Sequence, residues 1–379
     1  MNFVAWKMLL HDRAKYLGLV FAIAFSTFLL ENQTSIFAGI LKRTASQILD
    51  VTDAEVWVME PSSQYFDDTK PMRDTALLRV RGVPGVRWAV RLYKGLPVAR
   101  TSTGHFAQSI VTGLDDATLV GAPRRMVLGS WERLREPDSV IVDRAGYFLL
   151  FPGEPLALGG RLEMNDHIGI IVGISEASAP FVSFPVLHAR YSVAVNFQGQ
   201  GRNQLSYVVV RSADGIALSE LCARITAQTG LRARKTDEFA WDCIQYYLRN
   251  TGLPVNFGIT IAIALVVGTV VAGQTFYLFT VEHLRQFGTL KALGVSNPRL
   301  VAMVLLQAFT VGLIGFGLGT GMAALFFEVS HLKIVTRGIT LIWQTVALTG
   351  SCMLLVILLA SYLSVRRVLV LDPAVIFRS

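Results

Sequence analysis

The chain has 379 residues, 52% of them hydrophobic and only 16% charged, and its mean hydropathy is +0.48. So much apolar and so little charged material excludes an ordinary soluble globular protein and points to a lipid-embedded portion. The net charge of +8 forms no long basic stripe and comes with no nucleic-acid motif, so nucleic acid is excluded as a partner; cations flanking membrane helices explain much of it.

Taken from the N-terminus, basic residues Lys7, Arg13 and Lys15 precede an apolar stretch from Leu17 to Leu30. It is interrupted by Glu31, Asn32 and Gln33 and resumed by Ile36 to Leu41. No small-residue cleavage site of the Ala-x-Ala kind follows Leu30, so the segment is read as a first span over 17–42 rather than a removed signal. Its last turns should project from the bilayer and leave Glu31 as a hydrated carboxylate at headgroup level.

Residues 43–252 carry most of the acidic content and form a large α+β domain inserted between spans. Ala54 to Met59 alternates as a strand, Asp74 to Arg81 is helical and ends at Gly82 and Pro84, and Val86 to Ala99 reads as one strand. Ser206 to Arg211, Ala217 to Thr229 with Gly230 as C-cap, and Leu231 to Lys235 repeat the order. Two β-α-β units therefore bracket a β-rich middle, about Thr101 to Ser183, which is expected to form a second small subdomain. Its strands fall at Ser139 to Val142, Arg161 to Met164 and Ile168 to Ile174. Ala179 to Leu187 reads as ordinary core packing, with a membrane-near or substrate-facing loop as the alternative. Cys222 and Cys243 lie in this domain. A disulfide between them is chemically permitted, with two unpaired thiols the simpler expectation.

Three further spans follow, at 253–281, 300–327 and 339–364, and none contains a charged residue. Each supplies the roughly 20 apolar residues that about 30 Å of hydrocarbon demands. Between them lie a connecting segment over 282–299, a short loop over 328–338 and a tail over 365–379. Arg285, Lys291 and Arg299, and then Arg366, Arg367 and Arg378, put the connecting segment and both termini in the cytoplasm. The inserted domain and the loop with Lys333 and Arg337 fall outside. Gly315, Gly317, Gly319 and Gly321 form small-xxx-small pairs for close helix packing, within the subunit or across a dimer.

The chemistry of an enzyme is missing. Gly230 followed by Lys235 and Thr236 lacks the second glycine of a phosphate-binding loop, and Gly199 with Gly201 lacks a flanking strand and helix. His11, His105, His167, His188, His283 and His331 show no metal-ligand spacing, and no G-x-S-x-G elbow occurs. The last three spans carry no acidic relay, which argues against an ion-coupled carrier. No catalytic or metal-binding residue is assigned.

The most informative stretch is Val281 to Leu300, VEHLRQFGTLKALGVSNPRL. Leu284, Phe287, Leu290 and Leu293 recur every third residue as an apolar ridge beside Arg285, Thr289 and Lys291, Gly294 suits a left-handed C-cap, and Asn297 with Pro298 opens the next span. On these features alone it is a short helix at the membrane surface. The run from Arg285 through Gln286, Phe287, Gly288, Thr289, Leu290, Lys291, Ala292 and Leu293 to Gly294 resembles the R-E-F-G-x-L-[RK]-A-x-G signature of the MacB/FtsX family of ABC transporter permeases, with Gln286 where the family has Glu. Ala5-Trp6-Lys7-Met8-Leu9-Leu10 resembles that family's N-terminal amphipathic helix, here within 1–16, and Asp372 to Arg378 resembles its closing D/E-P-A-x-x-L/F-R. Among relatives, the Thr-Leu-Lys-Ala-Leu-Gly form is most similar to DevC-type exporter permeases.

The resemblance implies four membrane helices and an extracytoplasmic α+β domain of MacB type in a bacterial inner-membrane protein. It implies a non-catalytic dimeric permease without a conventional central channel, either a homodimer or a pair with a similar permease. Two copies of a separate ATPase, which bind the ATP and magnesium, would engage Glu282 and Leu284 to Gly294. Closure of those subunits would push on this segment and move the outer domain for export, with a membrane-fusion adaptor and outer-membrane channel as further partners the family uses. Lipoprotein or lipid extraction, and signalling to cell-wall hydrolases, are the alternatives the same family supplies.

Overall fold

The computed structural model describes residues 2–11, 13–198, 205–330 and 336–370. Gly199, Gly201, His331, Lys333 and the ending Asp372 to Arg378 lie outside the described residues. The chain divides into two compact units, one of residues 1–39, 252–332 and 339–379, the other of 40–251 and 333–338.

In chain order, helices α1 (Asn2–His11) and α2 (Arg13–Asp50) come first. The inserted domain follows with β1 (Val56–Met59), α3 (Thr75–Arg81), β2 (Val86–Gly95), β3 (Val98–Thr101), β4 (Phe106–Gln108), β5 (Ile110–Leu114), β6 (Met126–Gly129), β7 (Ser139–Asp143) and α4 (Arg144–Leu150). It continues with β8 (Arg161–Met164), β9 (His167–Ser175), β10 (Val186–Arg190), α5 (Tyr191–Ala194), β11 (Tyr207–Ser212), α6 (Leu218–Thr229), β12 (Arg232–Lys235) and α7 (Thr236–Asn250). The chain then runs through α8 (Leu253–Glu282), α9 (Leu284–Ala292), α10 (Asn297–Ser330) and α11 (Trp343–Val370).

Four helices, α2, α8, α10 and α11, are long and apolar enough to cross a membrane. Helix α2 runs to Asp50, past the expected end at 42, because no glycine or proline interrupts Lys42 to Asp50 while Ala45 and Ile48 are buried. Helix α11 begins at Trp343 rather than 339 and continues to Val370, so 365–370, expected as tail, is helical. Helix α1 is not amphipathic in the expected way: Ala5, Met8 and Leu9 are buried, but Phe3 and Trp6 are exposed beside Lys7.

In the helical unit, interfaces rest on small residues. On α8 the buried positions Ala264, Gly268 and Ala272 recur every fourth residue, while Val255, Ile259, Ile263 and Val270 point outward. A Cβ at Gly315 of α10 would meet the side chain of Ile23 at 2.8 Å and the Val20 carbonyl at 3.0 Å, and one at Gly319 would strike the Ala24 carbonyl and Thr27, both on α2. Gly317 and Gly321 face open space. Thus one pair of the four glycines packs α10 on α2 inside the subunit, and the other does not.

The inserted domain is one twelve-stranded sheet in the order β12-β1-β11-β2-β5-β10-β7-β9-β8-β3-β4, with β6 on β9. The two β-α-β units do not stand apart. They interleave, since β11 lies between β1 and β2 and β1 lies between β11 and β12, all antiparallel, which is the split βαβ arrangement. The middle region is not a separate subdomain either. It extends the same sheet through the β2–β5 pairing, and one core runs beneath both, from Val56, Val208 and Val210 to Val140, Ile171 and Leu187.

Alternate residues of the same strands point the other way. There Trp57, Tyr207, Val209, Phe239 and Cys243 form a second cluster, and Leu114, Leu119, Leu134, Ile141 and Val172 a third. Cys222, packed in the common core, and Cys243, on the opposite face, are both unpaired. The single strand expected over Val86 to Ala99 is two. It breaks at Leu96 and Pro97, because proline has no N–H to donate, and β2 and β3 pair with different strands. Ala179, Val186 and Leu187 are buried, and Phe181 packs on Tyr247 with ring centroids 4.4 Å apart.

Candidate functional site

The connecting segment is built by one break and one cap. Helix α8 ends at Glu282, which pairs with Lys15 of α2. The buried imidazole of His283 lies over Phe279, ring centroids 4.3 Å apart, with Nδ1 2.8 Å from the Phe279 carbonyl. The His283 carbonyl then accepts from the backbone N–H groups of Gln286 and Phe287, at 3.0 and 3.1 Å, and starts a new helix one residue after the old one stopped. At the far end Gly294 has φ +87°; its N–H donates to the Lys291 carbonyl and that of Val295 to the Leu290 carbonyl, both at 3.1 Å. That pair of bonds is a Schellman motif, and glycine is the residue that adopts this φ without strain. The next helix is capped by Ser296 rather than Asn297, since the Leu300 N–H bonds the Ser296 carbonyl at 3.2 Å.

The short helix has two distinct faces. Phe287 is fully buried in the core of the helical unit, Gly288 is buried beside it, and Leu284, Leu290 and Val295 pack against that core. Arg285, Gln286, Thr289 and Ala292 are exposed, as are Glu282 and Gly294, and Leu293 is 77% exposed. The three-residue ridge therefore holds from Leu284 to Leu290 and fails at Leu293, which lies past the end of the helix and points outward. Lys291 donates to the Leu369 carbonyl at 3.1 Å, tying α9 to the end of α11. Nearby, the Gln307 side-chain amide donates to the Ala5 carbonyl at 2.9 Å and holds α1 on α10.

Glu31 is not hydrated. It is fully buried between α2 and α10, where one carboxylate oxygen accepts from Thr320 at 2.8 Å and the other has no hydrogen-bond partner. One turn further along α2, Ser35 meets Thr345 of α11 at 3.1 Å, so a short polar seam runs along α2. Sequence reasoning missed it because the run Glu31-Asn32-Gln33 looks like the end of a span, and only the position of Thr320 shows otherwise. Among the described residues no group of His, Cys, Asp and Glu could hold a metal ion.

Four helices long and apolar enough to cross a membrane, a large sheet domain inserted after the first, and a capped two-faced helix between the second and third make up the fold on which the likenesses to known proteins fall. Residues 258–373 match the family described as FtsX-like permease C-terminal. The chain is 26% identical over 223 residues to an uncharacterized ABC transporter permease of Mycobacterium tuberculosis, covering 58% of each protein. It is 22% identical over 397 residues to the macrolide export ATP-binding/permease protein MacB of Photorhabdus laumondii, covering 98% of this chain and 59% of that one. A search of solved structures aligns 54% of the chain with 96% of the periplasmic region of MacB from Actinobacillus actinomycetemcomitans, at 12% identity and a TM-score of 0.39. The chain thus carries an FtsX-like permease domain and is homologous to ABC transporter permeases of the MacB/FtsX type, while its matches span less than two thirds of those relatives' lengths.

Proposed function

We propose that the chain is the membrane subunit of an ABC exporter of the bacterial inner membrane, converting ATP hydrolysis by a separate ATPase into movement of its inserted domain. The observation that supports this most is α9. Its inner face is anchored by Phe287 in the core of the helical unit, and its outer face offers Arg285, Gln286, Thr289, Ala292 and Leu293 to a partner, all within the region matching the FtsX-like family. A helix held on one side and bare on the other passes a push into the bundle instead of absorbing it. In this reading α9 and both termini are cytoplasmic and the inserted domain is extracytoplasmic, as the basic residues around α9 favour.

Two ATPase copies act on a pair of permeases, a homodimer or a pair with a similar chain. Gly317 and Gly321, bare on α10, are the small-residue positions left for such a contact. ATP and magnesium belong to the ATPase, and this chain contributes no catalytic group. Outward transport of cargo agrees with the relative MacB being a macrolide export ATP-binding/permease protein, and an adaptor and an outer-membrane channel complete the proposal where the cell has two membranes.

Gly288 and Leu290 support α9 from inside, so an aspartate at either one tests packing as well as docking; the exposed Arg285 and Leu293 are the cleaner probes. Purified alone, the chain should hydrolyse no ATP, and purified from its own cell it should carry an ATPase with it. Substantial hydrolysis by the isolated chain would remove the division of labour proposed here.

A further inference from the structure

On the face of the sheet opposite the common core, the apolar residues divide into two clusters, and two cavities open where they divide. The larger, about 450 Å³, has Trp88 and Trp131 in its walls together with Leu119 and Val120, and Arg124 and Arg211 at its edge. The smaller, about 300 Å³, is lined by Asp50, Arg124, Arg125, Glu176 and His188. Arg124 lines both, so the aromatic and the polar cavity share one residue.

Most charges there are already matched. Arg124 pairs with Asp53, Arg211 lies 3.8 Å from Glu55, and Glu176 lies 3.3 Å from Arg144. Asp50 accepts from the neutral backbone and hydroxyl of Ser178 at 3.0 and 2.7 Å and keeps its negative charge. Two further groups are unmatched. Arg125 is exposed to the cavity and pairs with no carboxylate among the described residues. His188, only 8% exposed in the middle of the sheet, has no hydrogen-bond partner for Nδ1. A buried polar atom left unsatisfied is costly, about 1–3 kcal/mol, unless something else satisfies it.

Burial pushes the His188 pKa down to about 4, so at neutral pH the ring is uncharged and serves as a hydrogen-bonding group. The wall of the larger cavity is also held in a strained shape. Leu119 sits at φ +53°, where a side chain costs about 1–2 kcal/mol, and the backbone and carboxylate of Asp115 fix it through bonds to Leu119 and Thr118 at 2.9 and 3.2 Å.

We propose that this double cavity binds an anionic amphiphile: an aromatic or aliphatic body between Trp88 and Trp131, and a phosphate or carboxylate head at Arg124 and Arg125. Guanidinium groups suit such heads because their planar N–H pairs match two oxygens at once. As a site for transported cargo this rests on the exporter reading; binding itself needs neither ATPase nor transport, so the two fail separately.

The test is calorimetric titration of the full chain in neutral-lipid nanodiscs with 1-naphthyl phosphate, alongside inorganic phosphate and 1-naphthylmethanol. The naphthyl phosphate should bind, and each half-ligand should bind at least about tenfold more weakly, the loss of one charge-assisted or apolar contact. Arg125→Ala and Trp131→Ala, with unchanged melting temperatures, should each weaken it by about tenfold or more, and Arg161→Ala, on the distant strand β8, should leave it unaltered. Absence of binding by the wild type, equal binding by Arg125→Ala, or equal affinity for inorganic phosphate overturns the proposal. Arg125 is exposed, so that variant decides the matter even where Trp131→Ala fails to fold.

Discussion

The helical unit and the inserted domain bury their apolar residues in opposite ways. In the domain, strands such as β1 and β11 are buried on both faces, so large side chains go inward in either direction and form cores above and below one sheet. In the helical unit the middle of α8 reverses that order: the small residues Ala264, Gly268 and Ala272 face the neighbouring helices and Ile259, Ile263 and Val270 face outward, where lipid tails are as apolar as any core, while Phe276 and Phe279 near its end are buried. Stability in the first unit therefore depends on filling space and satisfying buried polar groups, and in the second on letting backbones approach.

The largest effect expected from that contrast lies in the domain. Asp143 is fully buried at the end of β7, pairs with Arg337, and accepts from the Val186 N–H at 2.6 Å. Asp143→Ala leaves both donors unanswered and should cost about 3–5 kcal/mol in denaturant unfolding followed by tryptophan fluorescence. A loss below about 1 kcal/mol means the pair is solvated.

His188 gives the next effect, with pH as the variable. Its folded pKa of about 4 lies below the ordinary 6.5, so the unfolded chain takes up the proton first as pH falls. Its contribution is complete above pH 6.5 and is lost on the way down to about 4, a difference of about 3 kcal/mol. His188→Gln should flatten the stability profile over that window by this amount. Parallel profiles for the two proteins contradict the buried, neutral ring.

In the helical unit the bulk added at a glycine decides the effect. Gly319→Leu drives a side chain into the Ala24 carbonyl of α2 and should destabilise by about 2 kcal/mol or more, whereas Gly321→Leu, facing open space, should stay within about 0.5 kcal/mol. Equal effects of the two would show that α10 does not pack on α2 through this face. Below Gly319→Leu stands Gly294→Ala, which forces a side chain to φ +87° and should cost about 1 kcal/mol by thermal unfolding.

How much of this was legible in the sequence differs between the units for physical reasons. The spans declare themselves by length, and Gly294 and Gly230 by their place after helical runs, because these are local properties. The interleaving of β1, β2, β11 and β12 is not local: alternation marks each strand but not its partner across more than a hundred residues. Glu31 was misread for the same reason, since its hydrogen-bond donor is Thr320, and His188 is an ordinary-looking residue until the strands on either side of β10 bury it. Leu293 continued a three-residue spacing beyond the helix that gave the spacing meaning.

The central claim is that the outer face of α9 receives an ATPase. The most direct measurement is the amount of ATPase copurifying with the full-length chain and with the double variant R285E/L293D, whose substitutions are exposed and should leave the melting temperature unchanged. The account predicts an ATPase bound to the wild type and lost from the variant. Full retention by the variant, or no ATPase with the wild type, contradicts it.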